Sequence, residues 1–249
     1  MLAYFKPNRI MGIIFLILLS LTSCQDKEDQ KLPSAPQWQD STVTVQDTIR
    51  FSYLALGDSY TIGTALPDSS RNYPTQLVAR LDQDIFLEGA EVDIVAHGGW
   101  RTDQLISGID TADLNQEYDL VSLLIGVNNQ FQNRSDSVYA VEFEQLLNTA
   151  IGFAGNDTDR VFVLSIPDYG VTPFGQSYPN ASAGVDTFNA INLAITNTYG
   201  VSYFDITEIS RQAEDNPSLV APDNLHPSGD MYELWVNEIL EDVKAKLYE

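Results

Sequence analysis

The chain has 249 residues, a hydrophobic fraction of 44% and a formal net charge of −22, with one cysteine and two histidines. That length and apolar content suit one α/β domain with appendages, and the acidic balance repels phosphate backbones, so nucleic acid is not an expected partner. A lone Cys24 excludes an internal disulfide framework and a multi-cysteine zinc site, and His97 and His226 are too few for a histidine metal cluster; no metal or cofactor is expected.

The first residues read as an address. Lys6 and Arg9 precede an uninterrupted apolar stretch from Ile10 to Leu19, too short for a comfortable transmembrane helix and of the length of a secretory h-region. It ends in Leu21-Thr22-Ser23-Cys24, which resembles a bacterial lipobox. The expectation is a lipoprotein signal peptide over residues 1–23, with Cys24 lipidated and the only membrane contact. The chain would then be anchored in the bacterial cell envelope, at the periplasmic face or the outer-membrane surface. Residues 24–50 are polar, contain Pro33 and Pro36 and show little apolar periodicity, so they read as a tether. A domain is expected over residues 51–249.

From Phe51 onward, short apolar runs alternate with segments of helical period. Strands are predicted at Phe51–Leu56, Val92–Ala96, Leu120–Ile125, Val161–Ile166 and Val201–Phe204, each nearly continuous in apolar residues as parallel strands covered on both faces are. Helices are predicted at Tyr73–Leu81, Asp103–Ile109, Val138–Gly152, Val185–Tyr199 and from about Ser228 to Leu247. In the third of these, Val138, Val141, Leu146 and Leu147 should share a face. In the last, Ser228 is the expected N-cap and Trp235 the core anchor. The alternation predicts an α/β fold with an open five-stranded parallel sheet and right-handed crossovers. Ligands of such sheets bind beyond the carboxyl ends of the strands.

Residues that can carry chemistry stand at those ends. Gly57-Asp58-Ser59-Tyr60 follows the first strand, His97-Gly98-Gly99-Trp100 the second and Gly126-Val127-Asn128-Asn129 the third. Asp223-Asn224-Leu225-His226-Pro227 precedes the last helix. Together they supply a nucleophile, backbone and amide donors, a base and a carboxylate, which is what acyl transfer needs. Asp58 should organise its turn by bonding neighbouring N–H groups. Trp100 and Tyr60 could wall a pocket, His97 reads as a structural or pocket-lining residue, and Asp168 as a support or turn residue.

These blocks, in this order and spacing, resemble the SGNH hydrolases, also called GDSL esterases or lipases, over roughly residues 51–249. Ser165-Ile166-Pro167-Asp168-Tyr169-Gly170 and the Gly-Trp pair look like one bacterial branch of that family. The resemblance implies a three-layer, flavodoxin-like α/β/α fold. It implies Ser59 as nucleophile with Asp223 and His226 completing the triad, and an oxyanion hole from the N–H groups of Ser59 and Gly99 and the side chain of Asn128. Gly98 stands beside Gly99 and is the alternative donor. Asn129 departs from the family, where Asp is frequent. Thr61 stands where a G-x-S-x-G elbow would have its last glycine, which argues against a typical α/β-hydrolase fold.

The expected activity is cofactor-free hydrolysis of small acyl esters, acetyl esters of carbohydrates among them. A lipase or thioesterase of the same family, or a non-catalytic surface-binding lipoprotein, is the alternative. No strongly hydrophobic lid segment is evident, which leans away from long-chain lipids. Oligomeric state is not legible.

Overall fold

The computed structural model describes residues 51–247 apart from Phe86 and Glu88; the expected leader, Cys24 and tether lie outside the described residues. Strands β1 (Ser52–Gly57), β2 (Glu91–Ala96), β3 (Leu120–Leu124), β4 (Val161–Leu164) and β5 (Ser202–Phe204) form a parallel five-stranded sheet of order β2-β1-β3-β4-β5. Every residue of β3 and β4 is buried, because these strands are flanked by neighbours and covered on both faces; at the edges, β5 is half-buried throughout.

The connections hold helices α1 (Ser59–Ile62), α2 (Tyr73–Ile85), α3 (Thr102–Thr111), α4 (Val127–Phe131), α5 (Asp136–Phe153), α6 (Ala181–Thr198), α7 (Thr207–Arg211) and α8 (Gly229–Leu247). Helix α2 packs on α8, while α3 packs on α5 and α5 on α6, giving the three-layer α/β/α arrangement. The predicted strands and long helices are all present, with ends moved by a few residues. Helices α1, α4 and α7 have four or five residues each, too short for a 3.6-residue period to be readable in sequence.

One predicted face is wrong. On α5, Val138 and Val141 are 43% and 66% exposed, whereas Tyr139, Phe143, Leu146, Leu147 and Ala150 are buried. The two aromatic residues, four apart, lead a larger apolar stripe than the valines and turn the helix toward them. Tyr139 is accommodated because its hydroxyl donates to Asn192 Oδ1 (2.6 Å) and to the Ile125 carbonyl (3.1 Å).

The register levels the carboxyl ends: Gly57 lies opposite Ala96 and Leu124, and Leu164 opposite Phe204. The chain runs from β1 outward to β2, then returns to the other side of β1 as β3. The crevice at this reversal, between the ends of β1 and β3, is where open parallel sheets bind ligands.

Candidate active site

Ser59 is set by a sharp turn. A Cβ at Gly57 would lie 2.0 Å from Thr61 Oγ1 and 2.4 Å from the Leu124 carbonyl, so only glycine lets the chain fold back there. Asp58 caps α1, its Oδ1 accepting from Tyr60 N (3.0 Å) and its carbonyl from Thr61 N and Ile62 N (3.1 Å each). The Ser59 N–H takes no part in this cap and belongs to the first, unsatisfied turn of the helix. From the far end of the chain, the Tyr232 hydroxyl of α8 donates to the Tyr60 carbonyl (2.9 Å) and ties down the residue after Ser59.

His226 is held by the loop that precedes α8. Ala221 N donates to the His226 carbonyl (2.7 Å), Ser228 N to the Leu219 carbonyl (2.9 Å), and Val220 bridges Pro227. Within this turn Asp223 Oδ1 accepts from Leu225 N (3.1 Å) and His226 N (3.0 Å), while Oδ2 stands 2.5 Å from His226 Nδ1. Partial burial pushes the Asp223 carboxyl up, but the His226 ring and the two backbone N–H groups outweigh it and hold it below its ordinary value. The ring of Tyr60 meets the imidazole edge-on, centroids 5.7 Å apart. As predicted, Ser228 starts α8: its carbonyl accepts from Tyr232 N and its hydroxyl from Met231 N.

Beyond β2, a turn closed by Trp100 N donating to the His97 carbonyl (3.2 Å) presents Gly98 and Gly99, the latter at φ +83°. Neither glycine N–H is consumed by that bond. Beyond β3, Gly126 at φ +131° starts α4 in a space with no room for a side chain, since a Cβ there would lie 2.3 Å from the Tyr139 hydroxyl. Asn128 follows, its Nδ2 donating to the Trp100 carbonyl (2.9 Å) and facing Asp58 Oδ2 at 3.5 Å. Burial pushes the Asp58 carboxyl up to about 7, only partly offset by the Tyr60 N–H and Asn128.

Ser59, Gly98, Gly99, Asn128 and His226 line one cavity of about 290 Å³, with Asp223 behind the imidazole. The four sequence blocks thus converge on one rim. Both Gly98 and Gly99 line the cavity. Tyr60 lines it as expected. Trp100 does not: its ring stacks on His97 and covers Gly108, and its contribution to the site is the carbonyl that orients Asn128. His97 is exposed, its Nδ1 bonded to the Gly98 carbonyl (2.8 Å).

Asn129 supports the site from behind. Its Oδ1 accepts from Thr102 N (3.0 Å) and its Nδ2 donates to Thr102 Oγ1 (2.6 Å), pinning α3 to α4. An amide serves both partners here, where a carboxylate would have only acceptors to offer. Asp168 is buried and away from the cavity; it accepts from Gly170 N, Ser182 Oγ and Arg211 Nε, and so fixes the loop after β4. Of the remaining cavity wall, Phe131 and Phe174 were not singled out in sequence, and Tyr169 was named only within the Ser165–Gly170 motif. Among the described residues, no group of three or more His, Cys, Asp or Glu side chains could hold a metal.

A hydroxyl, an imidazole bound to a carboxylate, and several N–H donors around a small cavity can perform acyl transfer. Several solved structures share the fold. A lipase/acylhydrolase from Enterococcus faecalis superposes with a TM-score of 0.61 at 20% identity, over 80% of this chain and 97% of that one. An acetylxylan esterase from Geobacillus stearothermophilus gives 0.62 at 17% identity, over 79% and 96%. A two-domain esterase active on acetylated mannans gives 0.60 at 15%, over 80% of this chain and 50% of that one. These likenesses show a shared fold. No curated protein sequence matches the chain. Residues 55–234 match the GDSL-like lipase/acylhydrolase family, and the chain belongs to that family.

Proposed function

We propose that the protein is a serine esterase acting on small acyl esters, with Ser59 as nucleophile, His226 as general base and Asp223 as the residue that orients it. The supporting observation is the convergence of Ser59, His226 and Asn128 on one cavity while Asp223 engages His226 Nδ1. Asp223 fixes the tautomer with the proton on Nδ1, so Nε2 is the basic nitrogen. Ser59 Oγ attacks the ester carbonyl as Nε2 takes its proton. The tetrahedral intermediate collapses when Nε2 returns that proton to the departing alcohol, leaving an acyl-serine. Water then attacks the acyl-serine with the same base and releases the carboxylic acid.

The intermediate's oxygen is met by the Ser59 N–H, a glycine N–H from Gly99 or Gly98, and Asn128. The Asn128 amide has two hydrogens. The 2.9 Å bond to Trp100 fixes its plane, and the other hydrogen, facing Asp58 at 3.5 Å, is weakly held and available to the oxyanion. No metal or organic cofactor takes part in these steps.

Acetyl esters of carbohydrates fall within this class, and two structural neighbours act on acetylated polysaccharides. A short-chain p-nitrophenyl ester panel extended with acetylated sugars tests the activity and ranks the substrates. Hydrolysis by the wild type and none by Ser59→Ala is the expected result. Inactivity of the wild type on every ester and thioester would favour the surface-binding alternative. We further propose that Cys24 carries the lipid that anchors the enzyme to an envelope membrane. Cys24→Ala should then release the protein from the membrane fraction, and unchanged association would contradict the anchor.

A further inference from the structure

The cavity is lined by two unlike sets of residues. One holds the catalytic groups. The other is apolar, built by Val127, Phe131, Tyr169, Phe174 and Leu225. Phe131, Phe174 and the adjoining Tyr178 form a triangle of rings with centroid separations of 5.2–6.1 Å, each ring 37–40% exposed. A contiguous exposed aromatic cluster next to a cavity is unfavourable in water unless something covers it.

These rings are placed by the same segments that place the chemistry. Phe131 ends the helix that carries Asn128. Phe174 N donates to the Asn224 carbonyl (3.0 Å), inside the turn that holds Asp223 and His226. Tyr169 packs its ring against Phe131 and spends its hydroxyl on Gln130 Oε1 (2.9 Å), so that hydroxyl does not face a ligand. The wall is therefore fixed relative to Ser59.

Among the described residues, no Asp, Glu, Lys or Arg lines the cavity, and apart from the catalytic side chains and the two tyrosines only Thr64 brings a polar side chain. A sugar ring can lay a face on such rings with its hydroxyls in water, but beyond the catalytic groups only Thr64 and the tyrosines offer those hydroxyls a side-chain partner, so the wall gives a sugar little specific hold. An uncharged hydrocarbon group loses nothing there and gains by covering exposed rings.

We propose that Phe131, Phe174 and Tyr178 form a subsite for an apolar alkyl or aryl group of the ester, so that the enzyme prefers such esters over acetylated sugars. This rests on the serine-esterase function proposed above. The hydrocarbon can belong to the acyl half or the alcohol half, and two substrate series separate them.

In one series the p-nitrophenyl alcohol is constant and the acyl chain lengthens from acetyl to hexanoyl. In the other the acetyl group is constant and the alcohol runs from methyl through hexyl and phenyl to an acetylated pentose. The subsite predicts that kcat/KM rises about three- to fivefold per added CH₂ in one series, the gain from burying that group. It also predicts that the acetylated pentose falls below hexyl or phenyl acetate. Phe131→Ala and Phe174→Ala should flatten the rising series, while Phe174→Leu, which keeps the apolar bulk, should preserve most of the slope for alkyl groups. Thermal unfolding of each variant and its labelling by a fluorophosphonate check that the fold and the serine survive. Series that are flat in both arms for the wild type, or a preference for the acetylated pentose, would overturn the subsite while leaving the esterase intact. A wild type that hydrolyses none of these esters would instead remove the function on which the subsite rests.

Discussion

Asp58 and Asn128 meet where β1 and β3 part, the amide Nδ2 standing 3.5 Å from the carboxyl Oδ2 while its firmer bond, 2.9 Å, goes to the Trp100 carbonyl. Three strand-end loops, those after β1, β2 and β3, are thereby linked beside the position of the proposed oxyanion. In the proposed mechanism Asn128 donates to the oxyanion only in the transition state, so Asn128→Ala should lower kcat about 100- to 1,000-fold with KM little changed. Steady-state kinetics on a short-chain ester measure this. A loss confined to KM would mean that Asn128 binds substrate and does not stabilise the oxyanion.

The burial of Asp58 also makes stability depend on pH. In the unfolded chain Asp58 releases its proton near the ordinary carboxylate value of about 4. In the native state burial holds the proton until about pH 7. Between these values the native state binds the extra proton, so raising the pH through this window lowers stability, by an upper bound of roughly 4 kcal/mol. Asp223 works in the opposite sense and elsewhere: its lowered pKa adds stability that is lost only as the pH falls below the ordinary carboxylate range. Chemical denaturation between pH 4 and 8 should therefore show a decline in the wild type that Asp58→Asn largely removes. An equal decline in both proteins would assign the dependence to other groups.

Gly126 should tolerate no side chain. At φ +131°, with Tyr139 Oη and Ile166 Cδ1 at 2.3 and 2.8 Å from the position of a Cβ, Gly126→Ala combines backbone strain with overpacking against buried groups. A loss of about 3 kcal/mol or more is expected in denaturant titration. Gly152→Ala, on α5 with nothing within 4 Å of its Cβ position, is the control and should be neutral or mildly stabilising. Equal destabilisation by both would refute the steric account.

What sequence could reveal follows from how local each signal is. The central strands were legible because β1, β3 and β4 are covered on both faces and therefore continuously apolar. Three chemistry blocks were legible because serine, glycine and asparagine sit directly after β1, β2 and β3, where a parallel sheet must bind its ligand, and the fourth because Asp223 and His226 stand together just before the last helix. The α5 face was misread because two valines mimic an apolar stripe that Tyr139 and Phe143 in fact define, and Tyr139 is buried only because Asn192, 53 residues on, meets its hydroxyl. The role of Trp100 was hidden for a similar reason: its carbonyl, not its ring, serves the site. The aromatic wall was not legible because it joins Phe131, at the end of α4, to Tyr169 and Phe174 of the β4–α6 connection, about 40 residues on. The grip of Tyr232 on the Tyr60 carbonyl joins residues 172 apart and has no sequence signature.

The central claim is that Ser59 is the nucleophile, and covalent capture tests it most directly. The protein lacking residues 1–24 is treated with a fluorophosphonate, digested and mapped by mass spectrometry. A single phosphonylated site at Ser59, formed as activity on a short-chain ester disappears and absent from Ser59→Ala, is the predicted result. An adduct on another residue, or Ser59→Ala hydrolysing the ester at the wild-type rate, would contradict it.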